Sequence, residues 1–249
     1  MYRNEAWNGT GLHTLSVHLA WASLEVLADS VEDIQLLVSG DDMDVTDLKA
    51  EVRDGALIIE QPAYGLTHRI NLVRWMQVCL RVPAAWKGTV DLSTIAGQMN
   101  ARGLKGTDIS ITTASGDIRV SSIESMTLGI RSVTGCIAGG MLSADQAALR
   151  TVSGSITLGE CAFRALKAAG VSGDVSIDLS RSPESAELNT VTAPVRLTIP
   201  SDHAALTHRT ATGKLQTEGV SIGGEGPAIS VTTVSGGLYI GLRQQDAAV

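Results

Sequence analysis

The sequence predicts an all-β fold, a single-chain parallel β-solenoid, and a recurring turn is the first observation behind it. The turn reads Ser or Thr, an aliphatic residue, a small residue and Gly, and it recurs between Thr94 and Ile240. Successive copies are 19, 19, 19, 19, 20, 20 and 23 residues apart. A fixed period of this length is typical of stacked repeats, in which each unit buries its apolar face against its neighbours. The copies end at Gly97, Gly116, Gly135, Gly154, Gly173, Ala193, Gly213 and Gly236.

Apolar columns are the second observation. Counted from the turn Gly, the positions seven, five and two before it and two and four after it are apolar in nearly every copy. Among these 40 positions only Gly139, His208 and Thr217 differ. Alternation with period two indicates strands with one buried face, so we expect equivalent residues to lie above one another in a shared core. The column two after the Gly, for example, is Met99, Ile118, Ile137, Ile156, Val175, Val195, Leu215 and Leu238.

The repeat predicts about eight coils of 19–20 residues, with two short strands per coil and about 4.8 Å between coils. A right-handed coil is expected because parallel crossovers strongly prefer that hand. Sheets about 10 Å apart suit aliphatic side chains, and only Phe163 and Tyr239 are aromatic after Trp86. Gly is expected at the turn because it accepts positive φ.

Residues 1–86 are less regular and predict an irregular N-terminal β module that caps the first coil. Strands are expected over 15–28, 34–38 and 73–82, the last stopped by Pro83. An acidic loop is expected over 41–47, and a hairpin over 48–60 that turns at Asp54-Gly55. The predicted solenoid then spans 87–243, and a disordered tail spans 244–249. All four tryptophans, Trp7, Trp21, Trp75 and Trp86, fall in the first part.

Charge and cysteine content narrow the function classes. The net charge is −7, of which residues 1–86 contribute −6 (12 acidic, 6 basic) and residues 87–249 contribute −1 (14 acidic, 13 basic). The chain therefore lacks the basic footprint of a nucleic-acid-binding protein. Three cysteines without a CxxC motif, Cys79, Cys136 and Cys161, favour reduced thiols over a disulfide framework. No signal peptide or membrane span is recognisable, so the expected location is the cytoplasm, with the cell surface as the alternative.

Three turn segments carry a family resemblance: TASGDIRV at 113–120, TVSGSITL at 151–158 and VSGDVSI at 171–177. They resemble the bacterial putative-adhesin family, a domain of unknown function with SGD-type β-solenoid repeats. The resemblance covers most of residues 15–243. The resemblance implies a β-solenoid fold and no active site. Comparable members of the family include cytosolic proteins encoded near envelope-stress genes.

Two groups of side chains have the chemistry of metal ligands. Asp41, Asp42, Asp44 and Asp47 suggest calcium, but an EF-hand loop beginning at Asp42 would need Gly at 47 and Glu at 53, where the chain has Asp and Arg. A solvated acidic turn is the favoured interpretation. The histidines, His13, His18, His68, His203 and His208, form no HxH or HExxH motif, and His208 is expected to be locally satisfied or partly exposed.

The candidate catalytic residues and the candidate basic surface also form no convincing site. Asp117 and Asp174 share a column but lie three coils, about 14 Å, apart, which is beyond the spacing of paired glycosidase acids. Ser153 recurs as a turn residue in every coil, which indicates a structural role. Arg131, Arg150 and Arg209 share an outward column, and Arg131 and Arg150 are expected to be neighbours. We predict no catalytic, cofactor-binding or metal-binding residues and no cofactor.

The preferred hypothesis is a non-enzymatic binding or scaffold protein that presents its repeat faces to a protein partner. That partner is expected to be membrane-associated and linked to envelope-stress regulation. The alternatives are a surface adhesin or glycan-binding protein and, less favoured, a carbohydrate-active enzyme. End-to-end self-association is also open, because the last coil in sequence, Tyr239 to Leu242, has no obvious cap.

Overall fold

The structure, a computed structural model, describes residues 1–62, 75–224 and 226–243. Its secondary structure is almost entirely β, as predicted, with one short helix. Before the repeats come β1 (Tyr2–Asn8), β2 (Thr14–Leu19), β3 (Ser23–Asp29), β4 (Asp33–Gly40), α1 (Asp42–Asp47), β5 (Lys49–Arg53), β6 (Ala56–Glu60) and β7 (Met76–Pro83). Then follow β8 (Gly88–Thr94), β9 (Met99–Arg102), β10 (Lys105–Thr113), β11 (Ile118–Ser132), β12 (Ile137–Ser153), β13 (Ile156–Ser172) and β14 (Val175–Leu179). The last are β15 (Ser185–Thr190), β16 (Val195–Ile199), β17 (His203–Thr210), β18 (Leu215–Glu218), β19 (Ser221–Ile222), β20 (Ala228–Thr233) and β21 (Leu238–Leu242).

Equivalent residues of successive repeats pair in parallel, which confirms the predicted stacking. Ile118 pairs with Ile137, and Ile137 with Ile156. All three side chains are fully buried. The four apolar columns other than the one two before the turn Gly form a continuous aliphatic core, interrupted near its C-terminal end. Leu215 and Thr217 there are exposed, and His208 is half-buried.

The order of strands at the C-terminal end differs from the order in the chain. β20 pairs with β15 on one side and β17 on the other, while β21 lies between β16 and β18. The last repeat in sequence is therefore inserted between the two before it. The expectation that Tyr239 to Leu242 ends the stack is wrong, because the terminal layer is formed by β17 and β18.

The N-terminal end is built in the same way. β2 lies between β6 and β8, and β3 lies between β7 and β9, in every case in parallel. Outside them, β4 pairs antiparallel with β7, and β1 with β4. The division predicted at residue 86 stays a prediction, although strands from its two sides pair directly.

Local predictions in this part are mostly confirmed. The strands predicted over 15–28 and 34–38 are β2 to β4. The 48–60 hairpin is β5 and β6, joined by Asp54 and Gly55 with φ of 50° and 73°. The strand predicted over 73–82 is β7, beginning at Met76, with residues 73 and 74 outside the described ones. The predicted tail at 244–249 also lies outside them.

The predicted acidic loop is wrong, since Asp42–Asp47 forms α1. Val45 on this helix is completely buried, and its N–H donates to Asp41 O at 3.0 Å, which closes the first turn of the helix. Three tryptophans, Trp7, Trp21 and Trp86, are partly buried against the core, whereas Trp75 is exposed.

The repeat has a second corner, which the sequence pattern does not predict. Gly103, Ser122, Met141 and Glu160 occupy equivalent positions 19 residues apart and all have positive φ, between 53° and 74°. Ser122, Met141 and Glu160 lie within the strands β11, β12 and β13, which are 15–17 residues long. Each strand bends at that residue and continues beyond it. Because only one is Gly, this corner leaves little trace in the sequence.

Candidate functional site: the turn ladder and its aliphatic stripe

The recurring turns stack into a hydrogen-bonded column, which we call the turn ladder. Each turn donates backbone N–H groups to carbonyl oxygens of the turn before it. Ser115 N donates to Ile95 O at 2.7 Å, Thr134 N to Ala114 O at 3.1 Å, and Ser153 N to Val133 O at 2.8 Å. The ladder follows the spatial order of the strands, since Ser235 N donates to Val191 O at 2.9 Å. These bonds hold the turn side chains at regular intervals along one corner.

Close stacking explains the glycines. A Cβ built on Gly135 would lie 1.7 Å from Gly116 O, and one on Gly116 would lie 2.2 Å from Gly97 O. The expectation that these glycines serve positive φ is wrong for the ladder as a whole, because Gly173 alone among them has it, at 106°. At all seven turn glycines a Cβ would lie 2.5 Å or less from a carbonyl oxygen of a neighbouring turn, and this close approach favours Gly; the sixth copy, with Ala193, is the exception.

A buried hydroxyl column lies three residues before the turn Gly, and sequence reasoning missed it. Gly97 N donates to Thr94 Oγ1 at 3.0 Å, and Gly135 N donates to Ser132 Oγ at 2.8 Å. The same bond closes the turns at Gly213 and Gly236, and Thr190 Oγ1 instead donates to Ala193 O at 3.0 Å. The Thr113 and Thr151 hydroxyls are buried without a hydrogen-bond partner among the described residues. A signal was present, since every copy except the one with Gly170 has Thr or Ser there. The column is Thr94, Thr113, Ser132, Thr151, Thr190, Thr210 and Thr233.

Gln61 caps the N-terminal end of the ladder. Ala20, Trp21 and Ala22 form a further turn below the first predicted copy, and Ala96 N donates to Ala20 O at 3.0 Å. Gln61 Oε1 accepts hydrogen bonds from the N–H groups of all three residues, at 2.9, 3.1 and 3.2 Å. The buried side chain thus replaces the carbonyl groups that another turn would supply.

The column two before the turn Gly faces solvent, so the expectation of a buried position there is wrong. Its larger members are 40–57% exposed, because they lie one residue beyond the buried hydroxyl and therefore point to the opposite face. We call this column the aliphatic stripe. In spatial order it is Ile95, Ala114, Val133, Val152, Val171, Val191, Val234 and Ala211.

Polar residues border the stripe. On one side the turn itself presents hydroxyls, and Thr134 Oγ1 and Ser172 Oγ donate to carbonyl oxygens of the preceding turn at 3.1 and 3.3 Å. On the other side Arg131 and Arg150 are direct neighbours, as predicted. Neither has an ion pair with any residue in the described ranges. Arg209 lies apart, opposite Thr232. An apolar strip with an uncompensated basic border is a surface suited to binding.

The carboxylates singled out from the sequence do not converge. Asp117 accepts a hydrogen bond from Cys136 N at 3.0 Å and lies 3.6 Å from Arg119. Asp174 is three strand steps further along the same column. In the acidic segment, Asp42 pairs with the N-terminal amine of Met1 at 2.9 Å. Among the described residues, no three His, Cys, Asp or Glu side chains are arranged to hold a metal ion.

The histidines are dispersed. His18 lies between Ser16 and Ser93 at 2.8 and 2.6 Å. His203 pairs with Asp202 at 2.8 Å, and the pairing lowers the pKa of that carboxyl. His13 contacts Thr14 at 3.1 Å. His208 is half-buried in the inward column where it was expected, and His68 lies outside the described residues.

All three cysteines are free thiols. Burial raises the pKa of Cys161 to about 12, and burial, with a smaller contribution from Glu25, raises the pKa of Cys79. A buried thiol with a raised pKa is a poor nucleophile, because the thiolate is the reactive form. Within the described part of the chain, no helix is long and apolar enough to span a membrane.

Comparison with known proteins agrees with the fold. The family model described as Toastrack DUF4097 matches residues 14–240, so the chain belongs to this family, and the resemblance found in the sequence is confirmed. No curated protein gives a significant match.

Several solved structures are similar across nearly the whole chain. A putative adhesin from Parabacteroides merdae has a TM-score of 0.64 at 10% identity, covering 98% of this chain and 96% of that one. A putative adhesin from Bacteroides fragilis has a TM-score of 0.60 at 13% identity, covering 98% and 97%. A putative lipid binding protein from Parabacteroides distasonis has a TM-score of 0.56 at 12% identity, covering 98% and 97%. At these identities the likeness establishes the shared fold alone.

Proposed function

We propose that this chain is a non-enzymatic binding protein that presents the aliphatic stripe to a protein partner. The observation that carries the proposal is the row of half-exposed valines fixed by the turn ladder. About half of each of these side chains stays in water, and contiguous exposed apolar surface is characteristic of interaction sites. The dispersed carboxylates and the raised pKa values of the Cys79 and Cys161 thiols support a role without catalysis.

The chemistry of the stripe defines the partner surface. A complementary surface carries a narrow apolar strip with carboxylates along one side, which face Arg131 and Arg150. Burying the exposed half of one valine contributes about 1 kcal/mol, so several valines in a row give useful affinity. The paired arginines add selectivity and speed of association more than affinity.

The scaffold we infer is a right-handed parallel solenoid of about eight coils, with the hand following from the preference of parallel crossovers. Cytoplasmic location and a membrane-associated partner in envelope-stress regulation remain predictions from the sequence. The names of the similar structures favour binding roles over enzymatic ones, and this supports the class of function proposed.

Replacement of stripe residues tests the proposal. A photoreactive amino acid placed at Val171 in the host should crosslink one defined protein. The Val133→Asp/Val152→Asp variant should reduce capture of that same protein at least tenfold. Adding Arg131→Glu and Arg150→Glu to this variant should reduce the capture further.

Met126→Asp is the matched control, since Met126 is 60% exposed and lies outside the stripe. Each variant must melt within a few degrees of the native chain. Equal capture by the native and stripe variants, or equal loss with Met126→Asp, would refute the proposal.

A further inference from the structure

A groove lies near the C-terminal end, on the strands that follow the recurring turn. There β14, β16, β21 and β18 run side by side. It has a volume of about 330 Å³, within the size range of small-molecule sites. Pro194 and Gly237 lie in its floor. A Cβ on Gly237 would make an ordinary contact with Lys214 O at 3.5 Å, so a larger side chain there would occupy part of the groove. Polar and aromatic residues line the walls: Asp174, Ser176, Arg196, Lys214, Gln216 and Tyr239.

Tyr239 and Arg196 form one fixed wall. They are paired across β21 and β16, and the Arg196 guanidinium carbon lies 4.3 Å from the centre of the Tyr239 ring. The ring also lies against the backbone of Gly241, where a Cβ would be 2.9 Å from ring atoms. The Tyr239 hydroxyl donates a hydrogen bond to Glu218. These three contacts hold the ring and guanidinium in place before any ligand arrives.

The two cations of the groove, Arg196 and Lys214, form no direct ion pair in the described ranges. By contrast, Lys105, Arg164 and Arg243 each pair with a carboxylate. Two unpaired cations are notable in a chain of net charge −7. Their guanidinium and ammonium N–H groups are therefore available to donate to an anionic group.

The rim of the groove opposite Lys214 favours hydroxyl groups of a ligand over anionic groups. Asp174 is separated from Lys214 by two intervening strands, and it bears a carboxylate that repels a purely anionic polymer. It accepts hydrogen bonds from hydroxyl groups, as does Ser176, and Gln216 can both donate and accept. The groove therefore combines sites for one anionic group with sites for several hydroxyls.

We propose that this groove binds an acidic saccharide, with the carboxylate of a uronic acid at Arg196 and Lys214. Hydroxyl groups of the same or the next sugar unit bind Asp174 and Gln216, and the Tyr239–Arg196 wall contacts the sugar ring. The site is separate from the aliphatic stripe, because it lies after the turn on the other sheet. It can therefore operate whether or not the stripe binds a protein.

Titration of the full chain with a glucuronic acid-containing disaccharide tests this inference, with the matching neutral disaccharide as the reference. Two-dimensional NMR should show the shifts of Gly237 and Tyr239 amides saturating for the acidic sugar. Affinity for the neutral sugar should be at least tenfold weaker. Added salt should weaken binding of the acidic sugar only.

Three substitutions should each weaken binding at least tenfold: Arg196→Gln removes the cation, Tyr239→Ala removes the wall, and Gly237→Val fills the groove. Lys167→Gln is the charge-matched control, since Lys167 is exposed and lies on the other sheet. Two outcomes would overturn the proposal: no saturable shift at millimolar sugar, or equal binding of acidic and neutral sugars. An equal effect of Lys167→Gln would reduce the interaction to general charge attraction and would also overturn it.

Discussion

Replacing Gly135 by Ala should destabilise the fold through a single contact. The new Cβ would lie 1.7 Å from Gly116 O and 2.4 Å from the carbon of that carbonyl group, whereas an ordinary contact is at least 3.4 Å. The two turns must therefore separate by more than an ångström. Separation weakens the bonds from Val133 N to Thr113 O and from Thr134 N to Ala114 O, now 3.2 and 3.1 Å.

The cost follows from these losses. Each weakened hydrogen bond costs about 1 kcal/mol, and the overpacking itself costs about 1–3 kcal/mol, so the total is about 3–5 kcal/mol. For a chain of this size that corresponds to a fall in Tm of about 6–20 °C. Differential scanning calorimetry and urea unfolding measure it directly.

Gly159→Ala is the matched control. Gly159 lies in the stacked strand β13, where an added Cβ would have nothing within 4 Å, and its φ is not positive. The change should be neutral or stabilise by up to about 1 kcal/mol. If Gly135→Ala and Gly159→Ala shift Tm equally, close turn stacking is not the reason for Gly in the ladder.

Two further predictions concern the ladder cap and a buried thiol. Gln61→Leu leaves the N–H groups of Ala20, Trp21 and Ala22 without their acceptor and should cost about 2–3 kcal/mol. Gln61→Glu keeps an acceptor oxygen and should cost less, and equal losses in urea unfolding would contradict the capping role. Because burial raises the pKa of Cys161 to about 12, the folded chain retains a proton that the unfolded chain loses near its ordinary pKa. Stability should therefore fall as pH rises from about 9 towards 12. The slope should be shallower in Cys161→Ala, and an unchanged slope would show that this thiol does not cause it.

The period of the sequence is sufficient to predict the register of the core. Like residues recur every 19 positions, so the repeat by itself places Ile118, Ile137 and Ile156 in one column. Hairpin geometry is equally local, because Asp54-Gly55 specifies a tight turn by its own conformational preferences. These features depend on neighbours in the chain or on exact repetition.

Features that depend on the packing of distant segments were missed. The stripe was grouped with the core because Val133 and its equivalents are aliphatic, although the residue before each of them, a Ser or Thr in every copy but the one with Gly170, takes the inward position. The 23-residue step before Gly236 marks an irregularity, but strand insertion cannot be read from spacing alone. Gln61 acts on a turn 40 residues earlier in the chain, and Arg196 meets Tyr239 only because β21 is inserted beside β16.

Insertion of the final repeat separates the order of synthesis from the order of assembly. β17 and β18 leave the ribosome before the strands that support them, since β18 pairs with β21 and the body of β17 pairs with β20. Residues 203–218 therefore lack their native pairing partners, β20 and β21, until residue 242 has emerged. A premature stop after residue 220 would consequently remove β20 and β21. It would also leave β17 and β18 without the strands they pair with.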